Sequence, residues 1–117
     1  MHIVTTRRLK EASEHHRDAA SELAAWIKIV KLAHWQGFRE LRETFPNADL
    51  VDGVVIFNIR HNRYRLLAAV HYAKQIVGST TNRTTMGHVY IGAFMTHAEY
   101  TRWSAASQKK RAEWLQF

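Results

Sequence analysis

A change of hydrophobic period partway along the chain dictates the kind of fold open to it. Before the change, Leu23, Trp26, Ile27, Val30 and His34 recur at three- and four-residue spacing with Arg, Glu and Lys between them, the stripe of a helix that buries one side. After it, Val54–Ile59, residues 63–72 and His88–Thr96 are runs rich in Val, Ile, Tyr and Phe bounded by turn residues, which read as three antiparallel strands. The passage lies in residues 47–53, which have turn chemistry but neither the length nor the composition of a flexible linker. Helices followed by strands give an α+β sandwich, with a short N-terminal strand and helices packed on one face of a small antiparallel sheet and a C-terminal helix or tail.

The local signals refine this. Residues 2–5 are β-prone, and Thr5 or Thr6 can cap a helix opening at Arg7. A break near residues 15–18 divides the helical stretch in two. Gly37 interrupts, and Phe38, Leu41 and Phe45 form a further short helix that Pro46 stops, because proline disfavours helical geometry in the residue before it. In the last strand Val89, Ile91, Ala93 and Met95 alternate with His88, Tyr90, Gly92 and Phe94, which predicts one apolar face packed on the helices. Residues 79–87, containing Arg83, read as a hairpin loop, and residues 97–111 as the closing helix or tail.

The 117 residues suit one domain. Hydrophobic residues at 46% and charged residues at 23% exclude the composition of a disordered chain. With no cysteine, neither disulfides nor a Cys-based zinc site can hold the fold. The segment from Met1 to Arg8 lacks the apolar run of a signal peptide and no stretch approaches the ~20 apolar residues of a membrane span, so a cytoplasmic protein without a membrane partner is expected. The net charge of +7 is unevenly placed: residues 1–52 carry eight basic and eight acidic side chains, residues 53–117 nine and two. Between Gly53 and Ala98 stand Arg60, Arg63, Arg65, Lys74 and Arg83 and no carboxylate. Such a one-signed block favours a polyanion, whereas a merely solubilising face mixes signs.

Candidate chemistry gathers on the strands. If His61 and Asn62 form a two-residue turn, Asn58 lies opposite Arg65 and Arg60 opposite Arg63. Like charges directly across a strand pair are destabilising, unless an anion sits between them or the side chains splay into water. A strand-borne Arg65 can hold phosphate bidentately, alongside Arg63, Leu67, Ala69 and His71 on one strand face. His97 follows the last strand and Tyr100 lies three residues on, a proton carrier with a hydrogen-bond donor beside it. RNA contains its own nucleophile in the 2′-hydroxyl, so such a set suffices for cleavage and no metal or other cofactor need be invoked. The eight histidines scatter without an HExxH or similar pattern. Trp26 and Trp35 read as packing residues.

The segments Phe45-Pro46-Asn47-Ala48-Asp49, Val55-Ile56-Phe57-Asn58-Ile59, Asn62-Arg63-Tyr64-Arg65-Leu66 and Thr96-His97-Ala98-Glu99-Tyr100 occur in the order and spacing of HigB-type toxins, and the chain resembles that family along nearly its whole length. The resemblance implies a RelE-like fold and an endoribonuclease that cleaves mRNA on the translating ribosome. It also implies neutralisation by a cognate antitoxin of the HigA type carrying a helix-turn-helix. It carries phosphate and proton-transfer roles onto Arg65, His97 and Tyr100. RNA contacts are expected from Asn58, Arg60, His61, Arg63, Lys74 and Arg83, and contacts to ribosomal RNA or antitoxin from Lys109, Lys110 and Arg111. His61 stands where relatives often have Gly, and Thr101 where they have an acidic residue. A non-catalytic toxin on the same scaffold, such as a ParE-like gyrase inhibitor, an RNA-binding module, or an inactive antitoxin-binding scaffold, is the alternative.

Overall fold

A computed structural model describes residues 1–77, 82–115 and 117, and of residues 75–77 and 82–84 the backbone alone. In chain order it contains β1 (His2–Val4), α1 (Thr6–His15), a 3-10 turn at Arg17–Ala19, α2 (Ala20–Leu32), α3 (Phe38–Thr44), β2 (Asp49–Val51), β3 (Val54–Ile59), β4 (Tyr64–His71), β5 (Lys74–Val77), β6 (Asn82–Thr85), β7 (His88–Thr96), α4 (His97–Ala105) and α5 (Gln108–Glu113). Five strands form one sheet in the order β1-β7-β4-β3-β2, and β5 and β6 pair as a separate ribbon. β1 runs parallel to β7, and the other neighbours are antiparallel. This is the α+β architecture that the change of period implies, and it is consistent with the RelE-like fold that the resemblance implies.

The helical boundaries follow the local signals. α3 ends at Thr44, with Phe45 as its cap and Pro46 next. The break at residues 15–18 is real, since α1 stops at His15 and a 3-10 turn leads into α2. Thr5 occupies the N-cap position of α1 but makes no side-chain capping bond. Its left-handed backbone (φ 71°, ψ 43°) departs from the extended geometry that brings a cap oxygen onto the first-turn N–H groups.

Three features depart from the sequence reading. Residues 49–51, expected as turn, form β2 and extend the sheet by pairing with β3, Asp49 opposite Ile56. The expected loop at 79–87 contains a strand, Asn82–Thr85, paired with Lys74–Val77; residues 79–81 lie outside the described residues, as does the side chain of Arg83. Third, β7 does not present one face throughout. Leu67 pairs with Ala93 and Ala68 with Ile91, so Gly92 is the extra residue of a bulge and the alternation inverts there. Val89, Ile91 and Phe94 therefore meet the core built with Leu9, Leu23, Trp26, Val30 and Leu41 of the N-terminal helices. Met95 and Ala93 turn to the other face and pack on Trp103 of α4, with Val54, Ile56 and Leu67. The sheet thus has helices on both sides along part of its length.

Trp26 and Trp35 are core residues, and Trp103 is fully buried. Among the described residues no helix is long and apolar enough to cross a membrane. Gly87 enters β7 where the chain is tightest, for a Cβ there would lie 2.6 Å from the His71 carbonyl oxygen and 2.8 Å from the Ala73 nitrogen. Both contacts are with backbone, so neither can yield by a side-chain rotation. Gly87→Ala should lower stability by about 1–3 kcal/mol, the usual cost of overpacking; an unchanged urea midpoint would contradict this close approach.

Candidate active site

Antiparallel pairing fixes the centre of the site. In the β3–β4 register Asn58 is opposite Arg65 and Ile59 opposite Tyr64, as the two-residue turn required. The Arg63 amide donates to the Arg60 carbonyl at 3.1 Å, and Arg60 (φ 55°) and His61 (φ 58°) are both left-handed. His61 occupies the conformation that a glycine adopts without strain.

That turn supplies the cradle for Arg65, which is only 8% exposed. One terminal nitrogen donates to the Tyr64 carbonyl at 3.2 Å and the His61 carbonyl at 3.5 Å; the other donates to Asn62 Oδ1 at 3.2 Å. The guanidinium carbon lies 5.3 Å from the centre of the Tyr100 ring, a cation–π distance. Every acceptor here is neutral. Ion pairs join Arg7 with Glu11, Arg63 with Asp18 and Arg111 with Asp52, whereas Arg65 has no ion pair among the described residues. A buried cation without a counterion is costly, and an incoming anion recovers that cost through charge-assisted bonds.

Tyr100 arrives from the other side of the site because α4 begins where β7 ends. Thr96 and Glu99 form a capping box: the Thr96 hydroxyl accepts from the Glu99 amide at 3.2 Å, and the Glu99 carboxylate accepts from the Thr96 amide at 3.0 Å. His97 is the first residue of the helix, and its amide donates to the Arg63 carbonyl at 3.0 Å. His97, Tyr100 and Trp103 follow at three-residue intervals along one side of α4. Trp103 is sunk in the sheet, stacked on Tyr100 at 5.7 Å, while His97 is exposed. Arg65 thus lies against Tyr100, and His97 stands one helical turn before Tyr100 on α4. Burial pushes the Tyr100 phenol above its ordinary pKa and the Asp49 carboxylate adds to the rise, with Arg65 opposing. The phenol is thus protonated at neutral pH. Asp49 was not among the residues singled out from the sequence; the pairing of β2 that brings it here has no local signal. The Thr96-x-x-Glu99 spacing is one that could have been read.

The remaining basic residues divide. Arg63 does not share the face of Arg65: it bonds Asp18 at 3.3 Å, on the side of the sheet where Tyr64 donates to Asp18 at 2.8 Å. The like charges of Arg60 and Arg63 are thus relieved by a carboxylate of the protein. Arg60 receives its contact through the backbone, its amide donating to Glu22, and its side chain is exposed with that of His61. Arg111 is bound to Asp52, donates to the Ala106 carbonyl and lies 6.0 Å from the Trp103 ring, which fastens α5 to the sheet. Lys74, Lys109 and Lys110 are exposed, and Asn58 is half-buried. Among the described residues no group of three or more His, Asp or Glu side chains is placed to hold a metal ion.

Two measurements test this geometry. The Tyr64 hydroxyl, ahead of Arg63 and Arg60, holds the Asp18 carboxyl below its ordinary pKa. A depressed carboxylate stabilises the fold fully above the unfolded value of about 3.9, and this stabilisation is lost as pH falls through the lower folded value. Asp18→Asn should therefore be the less stable protein at pH 7, with the gap in urea midpoint closing below pH ~4; a gap of constant size down to pH 2 would refute it. Thr96→Ala should cost about 0.5–2 kcal/mol through loss of the cap, read in the same titration at pH 7.

The family model described as HigB_toxin, the RelE-like toxic component of a toxin-antitoxin system, matches residues 19–103. The chain is 27% identical over 113 residues to the mRNA interferase toxin HigB of Escherichia coli strain K12, an alignment covering 94% of this chain and 97% of that protein. The mRNA interferase HigB of Shigella flexneri matches with the same identity and coverage.

Proposed function

Because the chain belongs to the HigB toxin family of RelE-like toxins, we propose that it is an endoribonuclease that cuts mRNA at Arg65 without a metal. The observation that carries this reading is the buried guanidinium of Arg65, held by neutral acceptors alone. It is a preformed seat for an anion, and a phosphodiester in the act of cleavage is an anion gaining charge.

In the reaction the 2′-oxygen attacks the adjacent phosphorus as the bond to the 5′-oxygen breaks, leaving a cyclic phosphate and a free 5′-hydroxyl. Arg65 neutralises the non-bridging oxygens of the pentavalent phosphate. His97 carries one of the two proton transfers, off the 2′-hydroxyl or onto the departing 5′-oxygen. Tyr100, kept protonated by burial and by Asp49, donates a hydrogen bond to the phosphate rather than acting as a phenolate base.

A toxin of a toxin-antitoxin pair has an antitoxin partner, which we take to be of the HigA type with a helix-turn-helix. Cleavage occurs on message held by the ribosome in the cytoplasm. Exposed Lys109 and Lys110 contact ribosomal RNA, and Lys74, Arg60 and Arg83 track the message backbone, with Asn58 and His61 beside it. Arg63 and Arg111, each already paired with a carboxylate, contribute less to RNA affinity. All of this falls to one domain spanning residues 1–117.

Purified protein added to a translation reaction should fragment the message. His97→Ala should slow cleavage by about 10²–10⁴-fold. Arg65→Lys, which keeps the charge and loses the fork, should slow it by about 10²–10³-fold, with circular dichroism confirming that both variants fold. Intact message with folded wild-type protein would defeat the proposal, as would cleavage indifferent to both substitutions.

A further inference from the structure

The sheet face that carries Arg65 has a second part, away from α4. His2 of β1, His88 of β7 and His71 of β4 are Cα partners across three adjacent strands, and Tyr90 lies two residues along β7. The alternation that sends Ile3, Val89 and Val70 to the helical core turns these four rings to the opposite face. They make a continuous row. His71 and Tyr90 have ring centres 5.0 Å apart, Tyr90 and His88 stand 6.2 Å apart with planes inclined by 28°, and His88 meets His2 edge-on at 5.6 Å. None of the four belongs to the apolar cluster around Trp103. His2 and His71 are exposed, and His88 and Tyr90 are half-buried.

The strands that carry His71, His88 and Tyr90 lie in a stretch of the chain whose charged residues are all basic. Exposed Lys74 follows His71 by three residues, and no carboxylate occurs between Gly53 and Ala98. The three imidazoles do not gather as a ligand set for a metal ion. A sheet face lined with flat polar rings, with a lysine close by in the chain, is a surface on which unpaired bases can stack.

We propose that His71, Tyr90, His88 and His2 form a base-stacking surface for single-stranded RNA, distinct from the seat of the scissile phosphate. The proposal rests on the ribonuclease reading and extends it. Arg65 and His71 are six residues apart on β4, about 20 Å of strand, so the stacked bases belong to nucleotides some way from the cut. The rings hold the RNA without taking part in the chemistry.

The test is a fluorescence anisotropy titration at low salt with a short labelled single-stranded RNA, and with the same RNA annealed to its complement. The full chain should prefer the single strand. His71→Ala/Tyr90→Ala should weaken single-strand binding by about tenfold or more, the size of a lost base stack. Tyr90→Phe, which keeps the ring, should stay within about twofold of wild type. Should the double variant fail to fold, exposed His71→Ala alone serves, with a smaller loss expected. Binding indifferent to the rings, an equal loss in Tyr90→Phe, or a preference for duplex overturns the proposal. So does a loss confined to antitoxin binding, which would assign the surface to a protein partner. Cleavage is scored separately: ring-dependent binding by a wild-type protein that leaves message intact overturns the ribonuclease reading alone.

Discussion

A guanidinium taken out of water without a carboxylate beside it must be held by dipoles, and the site is arranged to supply them to Arg65. Two of its acceptors are carbonyls, those of Tyr64 and His61, and the third is the amide oxygen of Asn62. All belong to the hairpin that carries Arg65. For the His61 carbonyl to point back at the strand, the chain passes through two successive left-handed residues, Arg60 and His61, a conformation that costs non-glycine residues about 1–2 kcal/mol each. The strain of the turn and the poise of the cation are two aspects of one arrangement. Tyr100 closes it from above with a ring face, which attracts the cation without neutralising it.

Delivery of Tyr100 depends on β7 serving two cores. The bulge at Gly92 lets the first half of that strand face the N-terminal helices and gives Met95 and Ala93 to Trp103. Without the inversion, Met95 would point at the helical layer and Trp103 would lose part of its seat. The Thr96–Glu99 box then starts α4 at once, so that no loop intervenes between the last strand and the residues over Arg65. Rigid attachment of this kind fixes where Tyr100 stands relative to Arg65.

The charge pattern has the same dependence on long-range contacts. Residues 53–98 contain no carboxylate, yet Asp18 of the helical half reaches Arg63 and Asp52 reaches Arg111. Folding thus pairs some cations of the basic half with carboxylates and, among the described residues, leaves Arg65 with neutral acceptors. Arg65 is the one for which this matters most, because among the described residues it is the only charged one that is buried.

From the sequence alone came the order of the helices and of the three long strands, the stop at Pro46 and the hairpin register that sets Asn58 across from Arg65. Each is decided by neighbours within a few residues, through turn chemistry, proline geometry and apolar spacing. The tertiary structure alone decided the rest: the inversion at Gly92, the sheet face chosen by α4, the edge pairing of β2 that brings Asp49 toward Tyr100, and the carboxylates that claim Arg63 and Arg111. These are contacts between segments far apart in the chain. Their free energies come from packing and ion pairing that no local pattern records.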